Sequence, residues 1–70
     1  MRDQNFQRDM EAFERANGVH LHNTGDTLRI ISTDTDHVQT ARDILTRNGY
    51  TITGQEEDRR FTPATRIRYW

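Results

Sequence analysis

The sequence predicts an α+β fold. Two amphipathic helices lie on one face of a small mixed sheet of three or four strands, in the order α-β-β-α-β-β. Three observations carry this reading. Residues 27–32 and 50–53 have the alternating, β-branched character of strands. Between them Val38, Ala41, Ile44 and Leu45 fall at offsets 0, 3, 6 and 7, one apolar stripe on a helix. Helix start and stop signals sit where the periodicity changes.

The central helix begins at Thr33-Asp34-Thr35-Asp36, a capping cluster whose carboxylates oppose the positive end of the helix dipole. Asp43 and Arg47 stand four apart, acid first, as a helical ion pair prefers. Asn48-Gly49 stops the helix, since Gly49 tolerates the positive φ of the residue after a C-cap. On the strands either side, Leu28 and Ile30 share a face, as do Tyr50 and Ile52, while Arg29 points the other way. A right-handed crossover through the helix makes the two flanking strands parallel.

Residues 3–17 predict the first helix, with Asp3 as N-cap and Glu11–Arg15 as an i,i+4 pair. Phe6, Met10 and Phe13 form its apolar stripe, and Asn17-Gly18 ends it. Val19-His20-Leu21-His22 alternates, and Asn23-Thr24-Gly25-Asp26 is turn chemistry leading into Thr27, so a β-hairpin is expected. Gly54-Gln55-Glu56-Glu57-Asp58 reads as a polar acidic loop. Arg66 to Trp70 reads as a last strand, and Pro63 marks a break or an edge because it cannot donate to a ladder. The predicted core is Phe6, Met10, Phe13, Val19, Leu21, Leu28, Ile30, Val38, Ala41, Ile44, Leu45, Tyr50, Ile52, Ile67 and Tyr69.

Seventy residues make a single domain, 1–70, with a thin core. Leu, Ile, Val and Phe number thirteen, near the border of the disordered class, but a net charge of −1 and periodic apolar placement argue for a folded chain. No cysteine is present, which removes disulfides, thiol catalysis and Cys-based metal sites. No apolar run approaches the roughly 20 residues that span a bilayer, and the polar start is unlike a signal peptide. The expectation is a cytoplasmic protein with no membrane partner. All ten basic residues are arginine. Coding bias accounts for that, and so does a need for planar, bidentate cations at an interface.

No motif points to catalysis, and no enzyme, metal or cofactor is expected. His20 and His22 share a strand face, but a metal site needs a third ligand, and nothing in the spacing forces His37 or Asp26 toward them. If clustered, these histidines make a surface sensitive to pH near neutrality. Asp34 and Asp36 are two apart at a helix start and are explained by capping. Ser32, Thr33 and Thr35 have no activating base beside them in sequence. Gly25 and Gly54 are isolated, so no phosphate-cradling loop is formed.

The C-terminal segment is the candidate partner-binding site: Arg59, Arg60, Phe61, Arg66, Arg68, Tyr69 and Trp70. Residues 59–70 hold four arginines and no acid, against a net of −5 for residues 1–58. Arginine interleaved with aromatics suits a protein interface. It equally suits a nucleic-acid platform, where Arg meets phosphate and aromatics stack on bases. The plainer alternative is an edge strand charged against aggregation, with Trp70 folded onto the core. The α-β-β-α-β outline resembles KH-like and double-stranded-RNA-binding domains in element order alone. The Gly-x-x-Gly loop of the first is missing, and the helix that corresponds to the basic one of the second starts with Asp34 and Asp36.

The leading expectation is therefore a non-enzymatic protein-binding module. A small phage- or mobile-element-encoded inhibitor of the anti-defence type, blocking a larger complex, fits its size and lack of motifs. The alternative is a small regulator that binds RNA or DNA through the basic-aromatic segment. A homodimer that pairs its final strands along residues 67–70 is a third reading. One observation separates the first two: acids at Glu56, Glu57 and Asp58 that cover the arginines would turn phosphate away.

Overall fold

The computed structural model describes residues 2–70, with side chains from residue 5 onward. The elements are α1 (Arg2–Asn17), β1 (Leu21–Asn23), β2 (Thr27–Ile30), α2 (Thr35–Arg47), β3 (Ile52–Asp58) and β4 (Ala64–Tyr69). The α-β-β-α-β-β order is the one the periodicities require. The strands form one sheet in the order β1-β2-β4-β3. Both β2 and β3 pair antiparallel with β4, so they run the same way, as a strand–helix–strand unit demands. Yet β4 lies between them, and every hydrogen-bonded pair is antiparallel in place of the mixed pairing expected from the crossover. The β3–β4 hairpin inserts its second strand into the gap that the crossover leaves.

α2 is capped as its sequence dictates. The Asp34 carboxylate accepts hydrogen bonds from the backbone N–H groups of Asp36 (2.9 Å) and His37 (3.4 Å). At the other end Gly49 has φ +89°, its N–H donates to the Thr46 carbonyl, and the Tyr50 N–H donates to the Leu45 carbonyl. That pair of bonds is the Schellman arrangement, which a positive φ at Gly49 makes possible. The Asp3 side chain, expected to cap α1, lies outside the described residues.

The core unites both helices with one sheet face. Phe6, Met10 and Phe13 of α1 and Val38, Ala41, Ile44 and Leu45 of α2 pack with Leu21, Leu28, Ile30, Ile67 and Tyr69, and Tyr50 and Ile52 flank them. Phe6 meets Tyr50 at 4.9 Å and Tyr69 at 5.8 Å between ring centroids. The predicted core is thus the observed one, except that Tyr50 and Ile52 are only partly buried, with buried Ala64 and Thr65 added. Thr65 reconciles a hydroxyl with full burial by donating to the Ser32 carbonyl at 2.8 Å.

Two local expectations change. Residues 54–58, expected as a loop, form most of β3. Their intrinsic strand preference is poor, but β4 supplies a backbone ladder and opposite charges across it, and tertiary context prevails. Arg47 does not pair within its helix. It reaches Asp9 of α1 at 3.3 Å, where the Asn48 side chain also donates at 2.9 Å.

The Asn48 hydrogen bond, and then Arg47, hold the Asp9 carboxyl below its ordinary value of 3.8. A depressed pKa gives stability that is present above the unfolded value and lost as pH falls through the folded one. Asp9→Asn should therefore destabilise the protein at neutral pH. The gap to wild type should close as the pH falls below about 4, measured by urea unfolding across pH. A gap of constant size would refute the linkage.

Candidate functional site

The sheet face opposite the helices is open. Strand alternation places Thr27 and Arg29 of β2, Arg66 and Arg68 of β4, and Gly54, Glu56 and Asp58 of β3 on it. The register lines these side chains up in rows. His22, Arg29, Arg66 and Glu56 form one row across all four strands, and Thr27, Arg68 and Gly54 form the next. Trp70 continues the alternation of Arg66 and Arg68. Its backbone closes the sheet against Thr51 through two hydrogen bonds of 2.8 and 3.0 Å, and its side chain is 85% exposed.

Glu56 sits between two arginines. Its carboxylate lies 2.8 Å from Nη1 of Arg68 and 3.9 Å from Nη2 of Arg66. The Arg68 guanidinium passes close over Gly54: a Cβ there would lie 2.9 Å from its Nη2 and 3.0 Å from its Nε. Arg59 pairs with Glu57 at 3.1 Å, and Arg60 pairs with Asp58 at 3.6 Å. The backbone N–H of Arg60 also donates to Asp58, and this bond, helped by the charges of Arg60 and Arg66, lowers the Asp58 pKa. Each arginine of the C-terminal segment thus has one of the three β3 acids within ion-pair distance. The hairpin folds a basic half onto an acidic half that looked separate along the chain.

The seven expected partner residues divide into three groups. Arg66, Arg68 and Trp70 come together on the open face. Arg59, Arg60 and Phe61 sit in the β3–β4 turn, where Phe61 is 92% exposed. A six-residue strand separates that turn from Trp70, roughly 20 Å at the usual rise. Tyr69 is not on the surface at all. Its ring packs on Phe6 and Tyr50, and its hydroxyl donates to the Asn23 side chain. Alternation sends it to the core as surely as it sends its neighbours out. Trp70, for its part, does not fold onto the core.

One further correction follows from the topology. β4 is an interior strand, so it offers no edge for a homodimer to pair with, and its charges do not guard an edge; β1 and β3 are the edges. His20 and His22 do not act together, because Nδ1 of His20 lies 3.1 Å from Glu14 of α1 while His22 stands in the row beside Arg29. Among the described residues no three His, Cys, Asp or Glu side chains gather as a metal site. Ser32 does have a base nearby in space: its Oγ lies 2.9 Å from Nδ1 of His37. The same oxygen accepts the Asp34 N–H at 3.1 Å, so the hydroxyl braces the turn into α2.

Arg29, His22 and Glu56 belong to this face and were not among the expected site residues. The outward direction of Arg29 is readable from its strand, but its position opposite Arg66 depends on the order β2-β4, which no local pattern encodes. No protein family, curated protein or solved structure matches this chain. No helix among the described residues is long and apolar enough to cross a membrane.

Proposed function

We propose that this protein is a non-enzymatic protein-binding module whose open sheet face, centred on Arg66, Arg68 and Trp70, is the contact surface. The pairing of the C-terminal arginines with Glu56, Glu57 and Asp58 carries this choice. A phosphate backbone draws its affinity from unneutralised cations and is repelled by carboxylates among them. A protein partner instead meets a mixed polar surface with an exposed aromatic, the composition of an interface centre. The nucleic-acid reading loses its ground where those acids cover the arginines. The finer role proposed is that of a cytoplasmic inhibitor of phage or mobile-element origin that blocks a larger complex. Small size and the lack of a catalytic motif support that role.

The test is affinity capture with wild type and with an Arg66→Ala/Arg68→Ala/Trp70→Ala variant, each checked for its fold by circular dichroism. Light scattering then examines any complex recovered. A defined complex with one partner, lost in the variant, is expected. Equal recovery by both proteins, or no complex with either, would overturn the proposal.

A further inference from the structure

The open sheet face carries more positive charge than its own acids answer. Arg29 and Arg66 stand directly opposite each other on β2 and β4. Such pairs place their Cβ atoms about 4.5–5.5 Å apart, and like charges there repel. Glu56 lies on the far side of Arg66 and makes its shorter contact with Arg68. The other acid of this face, Asp58, is taken by Arg60 of the turn. Among the described residues, no ion pair or hydrogen bond is made by the Arg29 guanidinium. Its neighbour across β1 is His22, which offers no negative charge.

Resting on the protein-binding reading, we infer that the occupant of this face is an acidic segment of a partner protein, one carboxylate of which bridges Arg29 and Arg66. Charge complementarity selects it. Three arginines meet one central glutamate here, and an incoming carboxylate turns the Arg29–Arg66 repulsion into two charge-assisted hydrogen bonds. The three arginines are exposed and need little desolvation before binding. Trp70, on the same face, packs beside the segment. A phosphate polymer would need a run of unanswered cations, whereas a side-chain carboxylate needs only this one gap.

The test uses two labelled peptides, one alternating glutamate with alanine and one alternating glutamine with alanine, and a labelled single-stranded oligonucleotide. Fluorescence anisotropy follows binding at low and at moderate salt, and emission from Trp70 gives a second signal. The glutamate peptide should bind and weaken with salt, and the glutamine peptide should not bind. Arg29→Gln should weaken the glutamate peptide about tenfold. Arg15→Gln, which removes the same charge from exposed α1, should leave it unchanged. Arg29→Gln should also melt no lower than wild type, because it removes a like-charge pair. An unchanged affinity in Arg29→Gln, or an oligonucleotide that binds as tightly with the same Arg29 dependence, overturns the inference. If the glutamate peptide fails while partner capture still depends on Arg66, Arg68 and Trp70, the protein-binding reading stands and the acidic occupant is rejected.

Discussion

Ile67→Ala should cost about 2–5 kcal/mol of folding stability. Ile67 is fully buried in the middle of β4, paired with Leu28 on one side and with Gln55 on the other. β4 is the strand that holds β2 and β3 in one sheet, so the neighbours of Ile67 cannot collapse far into a cavity. A chain of this length is stable by roughly 0.05–0.15 kcal/mol per residue, so the loss removes a large share of the total. For a domain of this size each kcal/mol shifts the melting temperature by about 4–8 °C, and the variant should melt at least about 8 °C lower by that measure. Arg66→Ala, one residue away but facing outward, should change stability by no more than about 1 kcal/mol. Thermal melts followed by circular dichroism decide it. Similar losses for the two variants would contradict the two-faced sheet.

The contrast between those two neighbours marks what could be read from sequence. Period-two alternation in β2 and β4, and the helical stripes of α1 and α2, encode which side chain faces inward. Hence the core from Phe6 to Tyr69 was legible, and so were the caps at Asp34 and Gly49, which are local backbone chemistry. β3 was not legible beyond Thr53. Gly54, Gln55, Glu56, Glu57 and Asp58 have weak strand preference, and they pair only because β4 arrives twelve residues later with arginines to answer the acids. Gln55 faces the helices and accepts a hydrogen bond from Arg42 of α2 at 2.7 Å, a contact that also needs the tertiary fold. The candidate site failed in the same way. The outward direction of Arg66 and Arg68 follows from the alternation around Ile67. Glu56 as their counter-ion and Arg29 as their neighbour follow from strand order, which depends on how the whole sheet closes.

Neutralising the acids of β3 should create an affinity that the natural chain lacks. Glu56→Gln, Glu57→Gln and Asp58→Asn together remove three negative charges from a protein of net charge −1, leaving +2. They also free Arg59, Arg60, Arg66 and Arg68 from their partners. The freed arginines join Arg29 along one face and its adjoining turn. This variant should bind single-stranded RNA and DNA at low salt, with a Kd of about 10⁻⁴–10⁻⁶ M, and lose that binding as salt rises. Wild type should show no such binding under the same conditions, followed by anisotropy of labelled oligonucleotides. Glu56→Gln alone should give the largest single step, because Glu56 contacts two arginines. Binding by wild type as tight as by the variant would mean that the acids do not shield the arginines, and the nucleic-acid reading would regain its place. Gain of binding only in the variant would show these acids to be the element that keeps a phosphate-compatible composition from binding nucleic acid. Partner selection would then be set on β3, the strand whose sequence looks least like one.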